Sequence, residues 1–458
     1  MLFSSLEFLY FFLPLSVGLY FLCPLRLRNL FLFIVSLLFY GFGEPLYLFL
    51  MLFTVGADYA FGLLIERTEK GKKALLILAT VFNLSLLGFF KYYDFFAKTV
   101  GLPTLGISLP IGISFYTFQA LSYVFDVYKN EVRAQKSYVA FGAYVSLFPQ
   151  LIAGPIVRYS DVDSALRSRA HTSEKVASGI ATFAVGLAKK VLLANSAGAL
   201  SETLLEGRAS TASMWLGLVL YSFQIYYDFS GYSDMAVGLG RIFGFDFPEN
   251  FNYPYISESI TDFWRRWHIT LSSWFREYLY IPLGGNRHGM ARTYLNLFIV
   301  WSLTGLWHGA SWNFILWGIY FFLILVAEKA FLLKLLNYFP KAVRHVYALL
   351  FILFGWLIFS MDGSSVQEIF LAFSNLFCFG NIPLSDSGFG YELLRNLPFI
   401  ILMCVGATPL PKKLFAKLLS RRVSLSLCLR NILSLASLFL STAYLVDSNY
   451  NPFLYFRF

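Results

Sequence analysis

The sequence predicts an all-α integral membrane protein that is polytopic, with about eleven transmembrane helices, and three observations support this fold class. Hydrophobic residues make up 58% of the 458-residue chain, whereas charged residues make up only 14%. About a quarter of the residues in a soluble domain are charged. Continuous apolar runs of about 20 residues, the length that crosses a bilayer, recur from Leu6 to Val446. A membrane barrel is disfavoured, because its strands would alternate apolar and polar residues.

The apolar runs divide into clear spans and less regular segments. The predicted spans are 5–23, 29–43, 45–65, 74–93, 108–128, 213–243, 292–307, 310–333, 346–360, 397–410 and 425–446. Re-entrant or interfacial helices are expected among the segments 137–156, 176–205, 254–284 and 366–382. Segment 137–156 contains Pro149, Gly154 and Pro155, and non-helical backbone at membrane depth must be covered by protein or line a water-filled cavity. We expect one membrane domain over residues 1–458.

The charge pattern predicts orientation rather than nucleic-acid binding. The net charge is +10, and the bases sit in short loops between apolar runs. Such loops are typical of the cytoplasmic side of a membrane and contact anionic lipids. The clusters 26–28, 67–73, 129–136 and 412–422 are therefore predicted to be cytoplasmic, with the N-terminus outside. The first basic residue, Arg26, follows the first apolar run, which argues against a cleavable signal peptide.

Two of the five histidines lie in stretches that favour a functional site. His308 precedes a full apolar span, and an ionisable side chain in a membrane usually faces an internal cavity. A neutral core histidine bonded to a helix carbonyl is the structural alternative. At about 100° per residue, His268 falls at the border between the aromatic and charged arcs of residues 262–280. This pattern predicts one amphipathic helix, either a membrane anchor or the mouth of a cavity. His171, His288 and His345 lie in basic loops and are expected to be solvated or lipid-facing.

Aromatic and polar residues near these histidines extend the candidate site. Seven of the nine tryptophans lie between Trp264 and Trp317. Anchoring alone would spread them over both membrane faces, so lining of a substrate tunnel is the functional interpretation. Gln224 and Asp228 are four residues apart and share a helix face. A buried carboxylate needs a partner, so Asp228 is expected to orient a histidine, to pair with an arginine or to form a purely structural ion pair. The pattern of cysteines and histidines predicts no metal site.

These residues resemble the signature of the membrane-bound O-acyltransferase family. The resemblance covers nearly the whole chain and is carried by Pro110-Ile-Gly-Ile-Ser-Phe-Tyr116, Phe148-Pro-Gln-Leu-Ile-Ala-Gly-Pro155, Tyr227-Asp-Phe-Ser-Gly-Tyr-Ser-Asp234, Phe263-Trp-Arg-Arg-Trp-His268, Tyr278-Leu-Tyr-Ile-Pro-Leu-Gly-Gly-Asn286, Gly305-Leu-Trp-His308-Gly-Ala-Ser-Trp-Asn313 and Tyr450-Asn-Pro-Phe-Leu-Tyr-Phe-Arg-Phe458. It is similar to the alginate O-acetyltransferase branch in particular. Residues 254–320 hold the motifs that the family associates with catalysis.

The resemblance implies a membrane-embedded funnel or tunnel with His308 and His268 as the catalytic histidines. Substrate-binding or tunnel-lining roles are then expected for Trp264, Arg265, Trp267, Trp307, Asn313, Asp228 and Gln224. A neutral histidine suits the removal of a hydroxyl proton during acetyl transfer. Asn313, Ser311 or a backbone amide would supply a donor for the oxyanion.

The resemblance also implies a substrate, a partner and a location. The expected donor is acetyl-CoA, used as a substrate, with no permanently bound cofactor. The expected acceptor is a cell-surface polysaccharide such as alginate or peptidoglycan, reached through an extracytoplasmic SGNH-type acetyltransferase. The expected location is the bacterial cytoplasmic (inner) membrane.

Three other functions are compatible with the residues. D-alanyl transfer to teichoic acid from a carrier protein would use the same architecture. A transporter of a small anion or lipid would move its cargo without consuming a thioester. A non-catalytic scaffold would not need a histidine inside an apolar run.

Overall fold

All regular structure in the described residues is helical, which confirms the predicted all-α class. The computed structural model describes residues 1–207, 209–380, 382–419, 423–447 and 450–452. Arg421, Arg422 and the last six residues of the C-terminal motif lie outside them. The residues divide into two compact units by their contacts, and the single membrane domain over residues 1–458 stays a prediction.

The first unit consists of Met1–Leu187 and Tyr232–Glu249. Its helices are α1 (Leu13–Leu22), α2 (Arg28–Gly43), α3 (Tyr47–Arg67), α4 (Lys72–Val100), α5 (Ile113–Tyr128), α6 (Tyr138–Ser146), α7 (Phe148–Leu151), α8 (Tyr159–Arg167) and nearly all of α9 (Ser173–Ala188). A short π-helix, Phe8–Phe12, leads into α1, and a 3₁₀ turn, Leu25–Leu27, follows α1.

The second unit consists of Ala188–Gly231 and the described residues from Asn250 onward. Its helices are α10 (Asn195–Gly207), the first part of α11 (Thr211–Ile242), α12 (Ile260–Arg266), α13 (Ile269–Phe275), α14 (Gly289–His308), α15 (Trp312–Ala327), α16 (Leu333–Leu336), α17 (Lys341–Ser360), α18 (Val366–Leu376), α19 (Ser387–Gly406), α20 (Leu410–Leu419) and α21 (Val423–Asp447). Short π-helices are formed by Lys189–Ala194, Arg276–Tyr280 and Glu328–Leu332, and a 3₁₀ turn is formed by Pro254–Ile256.

The outer faces of several helices are apolar and exposed, as lipid contact requires. Phe42 is 70% exposed, Leu394 is 71% exposed and Phe439 is 72% exposed. Seven helices of the described chain are long and apolar enough to cross a membrane, and Phe8–Leu22 is a shorter apolar helix. The multi-pass membrane class is therefore confirmed. The number of about eleven crossings stays a prediction.

The structure defines the helices of three segments that hydropathy left uncertain or bounded differently. Segment 176–205, which the sequence left uncertain, forms one apolar stretch with span character at Ser173–Gly207. The predicted span 397–410 begins ten residues earlier, at Ser387, because the Asp386 carboxylate accepts a hydrogen bond from the Phe389 amide at 3.0 Å and caps the helix. Segment 137–156 breaks at Leu147 into α6 and α7, and nine residues of helix are too short to cross a bilayer.

The basic loops of the first unit lie together. The Ala134 backbone amide donates to the Glu66 carboxylate at 2.9 Å, and the Gln135 side-chain amide donates to the Tyr159 hydroxyl at 3.0 Å. The Asn29 amide donates to the Leu166 carbonyl at 2.8 Å. Loops expected on one side of the membrane are thus in mutual contact. His171, which was expected to be solvated or lipid-facing, is half-buried and hydrogen-bonded among them.

Candidate active site

Close packing of two helices positions His308. At Gly305 a side-chain carbon would overlap the Phe314 carbonyl, and at Gly318 it would overlap the Trp301 carbonyl. The backbones of helices α14 and α15 are therefore in direct contact at these two glycines, as small residues allow in membrane proteins. His308 is the last residue of α14, one turn beyond Gly305, and so its place depends on this crossing.

Aromatic rings enclose the His308 imidazole. Its centroid lies 4.8 Å from that of Trp307, 4.9 Å from that of Trp317 and 5.2 Å from that of Phe359. The residue is 7% exposed. Its position at the C-terminal end of a helix places it where helix carbonyls favour a cation. A charge that forms here is surrounded by apolar groups with few competing waters, which strengthens its electrostatic interactions.

His268 lies at a break between two short helices, not on a continuous amphipathic helix as its periodicity predicted. α12 ends at Arg266 and α13 begins at Ile269. His268 has φ 46° and ψ 54°, a left-handed conformation that is unfavourable for a side chain with a Cβ. The residue is 1% exposed, so it is not at an interfacial border. The helical projection failed because the left-handed residue resets the angular register.

Asn250 holds His268 in this conformation. The Asn250 side-chain oxygen accepts hydrogen bonds from the Thr270 amide at 3.2 Å and the Thr270 hydroxyl at 2.9 Å. The same oxygen lies 3.1 Å from His268 Nδ1. Because this oxygen is an acceptor, Nδ1 carries the proton and donates it. The basic nitrogen of His268 is therefore Nε2.

His268 is neutral in the folded protein. Burial lowers the pKa of its imidazole to about 3 from the usual 6.5. Nε2 is buried and has no hydrogen-bond partner among the described residues. The result is an imidazole of fixed tautomer with an unused acceptor atom.

The start of α12 is fixed by a buried carboxylate. Glu328 accepts hydrogen bonds from the Ile260 amide at 2.7 Å and the Thr261 amide at 2.8 Å. These amides belong to the first turn of α12, where a carboxylate is favoured. Since Glu328 follows α15 directly, this contact ties the His268 segment to the helix pair that carries His308.

Trp307 connects the two histidines. Its ring lies 6.0 Å from His268 and 4.8 Å from His308. The predicted lining residue Trp264 packs against Trp301 at 4.7 Å, and Trp267 packs against Trp356 at 4.8 Å. The tryptophans thus form a packed aromatic core around the histidines.

Arg265 and Arg266 have different surroundings. Arg266 forms an ion pair with Asp262 at 3.0 Å. Arg265 is exposed and forms no ion pair with any residue that the structure describes. Only Arg265 is therefore available to an anionic ligand.

Asp228 is paired with a lysine rather than with a histidine or an arginine. The Lys190 ammonium lies 2.9 Å from the Asp228 carboxylate, and the two side chains are 2% and 4% exposed. Lys190 also donates to the Asn195 side chain at 2.8 Å and to the Pro452 carbonyl. This geometry is a fully buried ion pair with further hydrogen bonds.

Gln224 lies on a cavity of about 260 Å³ in the second unit. The wall includes Glu202, Glu206 and Asp362, together with Leu357 and Ser360 at the end of α17. Phe359, between these last two residues, contacts His308. The cavity thus approaches the His308 environment through the end of one helix, and its carboxylates disfavour anions.

Asn313 caps α17. Its amide nitrogen donates to the Ile358 carbonyl at 3.3 Å and to the Phe359 carbonyl at 3.5 Å. The Ser311 hydroxyl accepts from the Gly363 amide at 3.3 Å. Both side chains are thus engaged with the α17 end of the unit. Trp317 Nε1, by contrast, is buried next to His308 and finds no acceptor within the described ranges.

The sequence analysis missed two residues, Asn250 and Lys190, and it placed Trp317 in the tryptophan cluster without giving it a separate role. Lys190 was visible as a charge inside the apolar segment 176–205. Asn250 lies 18 residues from His268 and carried no local signal. Among the described residues, no group of three His, Cys, Asp or Glu side chains could hold a metal ion.

The structure thus places two buried histidines on either side of Trp307 in a helical membrane protein. The sequence model of the membrane-bound O-acyltransferase family matches residues 113–370, more than half of the chain, and the chain belongs to this family. The protein is therefore an O-acyltransferase.

Particular relatives share most of the chain. It is 42% identical to the probable alginate O-acetylase AlgI of Azotobacter vinelandii, over 84% of this chain and 80% of that protein. It is 38% identical to the peptidoglycan O-acetyltransferase of Helicobacter pylori, over 72% of this chain and 71% of that protein. It is 30% identical to the teichoic acid D-alanyltransferase of Bacillus subtilis, over 50% of this chain and 60% of that protein.

Proposed function

We propose that this protein takes an acetyl group from cytoplasmic acetyl-CoA and passes it across the membrane for O-acetylation of a cell-surface polysaccharide. The observation that carries the proposal is the aromatic enclosure of His308 beside a second histidine of fixed tautomer. The similarity to an alginate O-acetylase and a peptidoglycan O-acetyltransferase covers more of this chain than the similarity to a D-alanyltransferase does, and this supports transfer of acetyl rather than D-alanyl groups.

In the proposed step, His308 removes the proton from the acceptor hydroxyl. The hydroxyl oxygen attacks the thioester carbonyl carbon, and a C–O bond forms. The tetrahedral intermediate then expels the CoA sulfur, which takes up the proton from the imidazolium. The helix end at His308 favours the transient cation, and general base catalysis of this kind contributes about 10²-fold to 10⁴-fold.

Trp317 is the proposed oxyanion donor. Its Nε1–H is buried, lies in the indole that contacts His308, and finds no acceptor in the described part of the chain. An unused buried donor costs free energy in the resting protein and becomes satisfied when a carbonyl oxygen gains charge. Asn313 is a weaker candidate, because its amide donates to carbonyls of α17.

His268 is proposed to accept a hydrogen bond from a substrate at Nε2, and Arg265 is proposed to contact the phosphates of acetyl-CoA. The unused Nε2 and the unpaired Arg265 guanidinium support these roles. The donor would reach Arg265 from the cytoplasm. The carboxylates of the cavity near Gln224 make it more suitable for a neutral acceptor group than for the phosphates of CoA. We propose that an SGNH-type partner receives the acetyl group at this cavity.

The proposed location is the bacterial inner membrane, with the N-terminus outside and the basic loops inside. The mutual contacts of the loops near Glu66, Ala134 and Tyr159 support a common side. A cysteine placed at 133 or 167 should stay protected from an impermeant thiol reagent in intact cells, and one at 44 should react. Labelling of 133 from outside would overturn this orientation.

The decisive experiment uses the purified protein in liposomes with acetyl-CoA labelled in the acetyl group. Acetyl transfer predicts release of the CoA thiol together with label on an added polysaccharide or partner enzyme. Transport of intact donor or anion predicts accumulation of label without thiol release, and would replace the proposal. Thiol release only with a D-alanyl-loaded carrier protein would favour the D-alanylation alternative.

A further inference from the structure

The first unit contains a basic cavity of about 310 Å³ that the acyl-transfer proposal does not use. Its wall includes Arg26 in the 3₁₀ turn before α2, Arg28 at the start of α2, Arg167 at the end of α8, and Arg169 and His171 in the segment that follows α8. We propose that this cavity binds a phosphate group carried by an anionic ligand at the cytoplasmic surface. The ligand is either the headgroup of an anionic phospholipid or a soluble phosphate compound.

The positive charge of the cavity is mostly uncompensated. Arg167 forms an ion pair with Asp163 at 2.8 Å. Arg26, Arg28 and Arg169 form no ion pair with any carboxylate in the described ranges. No acidic side chain of the described residues lines the cavity. Clustered guanidinium groups repel one another unless an anion lies between them, and phosphate fits their paired N–H donors.

Two of the arginines are held in place before any ligand arrives. The Arg28 side chain donates to the Cys23 carbonyl at 3.3 Å and to His171 Nδ1 at 3.1 Å. The Arg169 guanidinium lies 4.7 Å above the Phe245 ring. Its Nη1 is buried and has no hydrogen-bond partner among the described residues. A preformed donor without an acceptor is what a ligand oxygen would satisfy.

His171 orients Arg28 without adding charge. The Tyr20 hydroxyl donates its proton to the Phe243 carbonyl at 2.9 Å, so the contact of 3.0 Å with His171 Nε2 is a donation from the imidazole. Nδ1 then accepts from Arg28. Burial, and next the nearby Arg28 guanidinium, lower the pKa of His171, which keeps the imidazole neutral.

Exposed apolar side chains border the cavity and favour a lipid as the source of the phosphate. Leu25, which lines the cavity, is 72% exposed, and Leu22 and Leu27, close to it in sequence, are 82% and 49% exposed. These leucines lie between the first two apolar helices, where acyl chains of a bound lipid would pack. Basic pockets at the cytoplasmic ends of membrane helices are typical binding sites for anionic headgroups.

The test measures the thermal unfolding midpoint of the purified full-length protein in detergent. Short-chain phosphatidylglycerol, short-chain phosphatidylcholine and inorganic phosphate are titrated separately. The variants are Arg26→Gln and Arg169→Gln. Arg26 is exposed and makes no hydrogen bond or ion pair to the described residues, so its replacement leaves the fold intact. Arg67→Gln is the matched control, because Arg67 is an exposed arginine at the end of α3, outside the cavity.

We expect phosphatidylglycerol to raise the wild-type midpoint saturably, and phosphatidylcholine to have less effect. Each cavity variant should need about tenfold more ligand for half-saturation, since a hydrogen bond to a charged group is lost. Arg67→Gln should respond like wild type. If inorganic phosphate also stabilises the protein, with the same dependence on the two arginines, the ligand is a soluble phosphate compound. If phosphatidylglycerol stabilises the protein and inorganic phosphate does not, the ligand is the lipid. Equal responses of wild type and both cavity variants, or equal weakening by Arg67→Gln, would overturn the proposal.

Discussion

Two of the buried polar clusters in the second unit differ in how their polar atoms are paired. At Lys190 and Asp228, opposite charges lie 2.9 Å apart, and further acceptors surround the ammonium. At His268, the imidazole is neutral, one nitrogen is bonded to Asn250 and the other has no partner in the described chain. A compensated buried pair is typical of structure, whereas an unused buried acceptor beside other ring systems indicates chemistry. Both places have similar burial, so burial alone would not separate them.

The largest expected effect is the loss of activity on replacing His308 by alanine. Without the proposed base, acetyl transfer should fall about 10²-fold to 10⁴-fold, while expression and membrane insertion stay normal. Initial rates of CoA thiol release at saturating donor measure this. His345→Ala is the control, because that histidine is half-buried in the same unit and bonded to the Ser257 carbonyl at 3.0 Å. Activity above about a tenth of wild type in His308→Ala would remove the base assignment.

The Lys190–Asp228 pair should affect stability more than chemistry. Lys190→Met or Asp228→Leu alone leaves one buried charge and should lower the free energy of unfolding by about 3–5 kcal/mol. The double variant should recover much of this loss, since no isolated charge remains. Thermal unfolding in detergent, with the rate measured per folded molecule, separates the two effects. A stable single variant with a strongly reduced rate would instead assign Asp228 to the reaction.

Asn250→Ala tests whether the orientation of His268 matters. The change removes the acceptor for His268 Nδ1 and for two groups of Thr270, a loss of about 1–3 kcal/mol. A misoriented imidazole should lower kcat about 10-fold to 100-fold, with a smaller change in KM. Asn296→Ala is the control, because the Asn296 amide also bonds buried backbone, at the Gly285 carbonyl 2.9 Å away. An equal loss of kcat in both variants would reduce Asn250 to a structural role.

The smallest expected effect is that of Arg265→Gln. An exposed charge contact is worth about 0.5–1 kcal/mol, so KM for acetyl-CoA should rise about twofold to fivefold with little change in kcat. Arg266→Gln is the neighbouring control, since Asp262 already occupies that guanidinium. If Arg265→Gln lowered only kcat, its proposed contact with the donor would be wrong.

The sequence predicted the helical membrane class because long apolar runs report burial in lipid directly. It also identified His308, since one ionisable residue in an apolar run stands out without knowledge of the fold. It failed at His268 because a single left-handed residue divides what the periodicity treats as one helix. It did not identify Asn250 and Lys190, because their partners are distant in sequence. His268 lies 18 residues from Asn250, and Asp228 lies 38 residues from Lys190. Local patterns do not specify such pairings, which arise only when the helices pack.

The central claim is that His268 and His308 form one reaction site through Trp307. A double-mutant cycle tests it directly, with labelled acetyl transfer measured for His268→Ala, His308→Ala and the double variant. Residues that act in one step are strongly non-additive, so the double variant should lose about as much activity as His308→Ala alone. Losses whose free energies add to within about 0.5 kcal/mol would show that the two histidines act independently, and would contradict the claim.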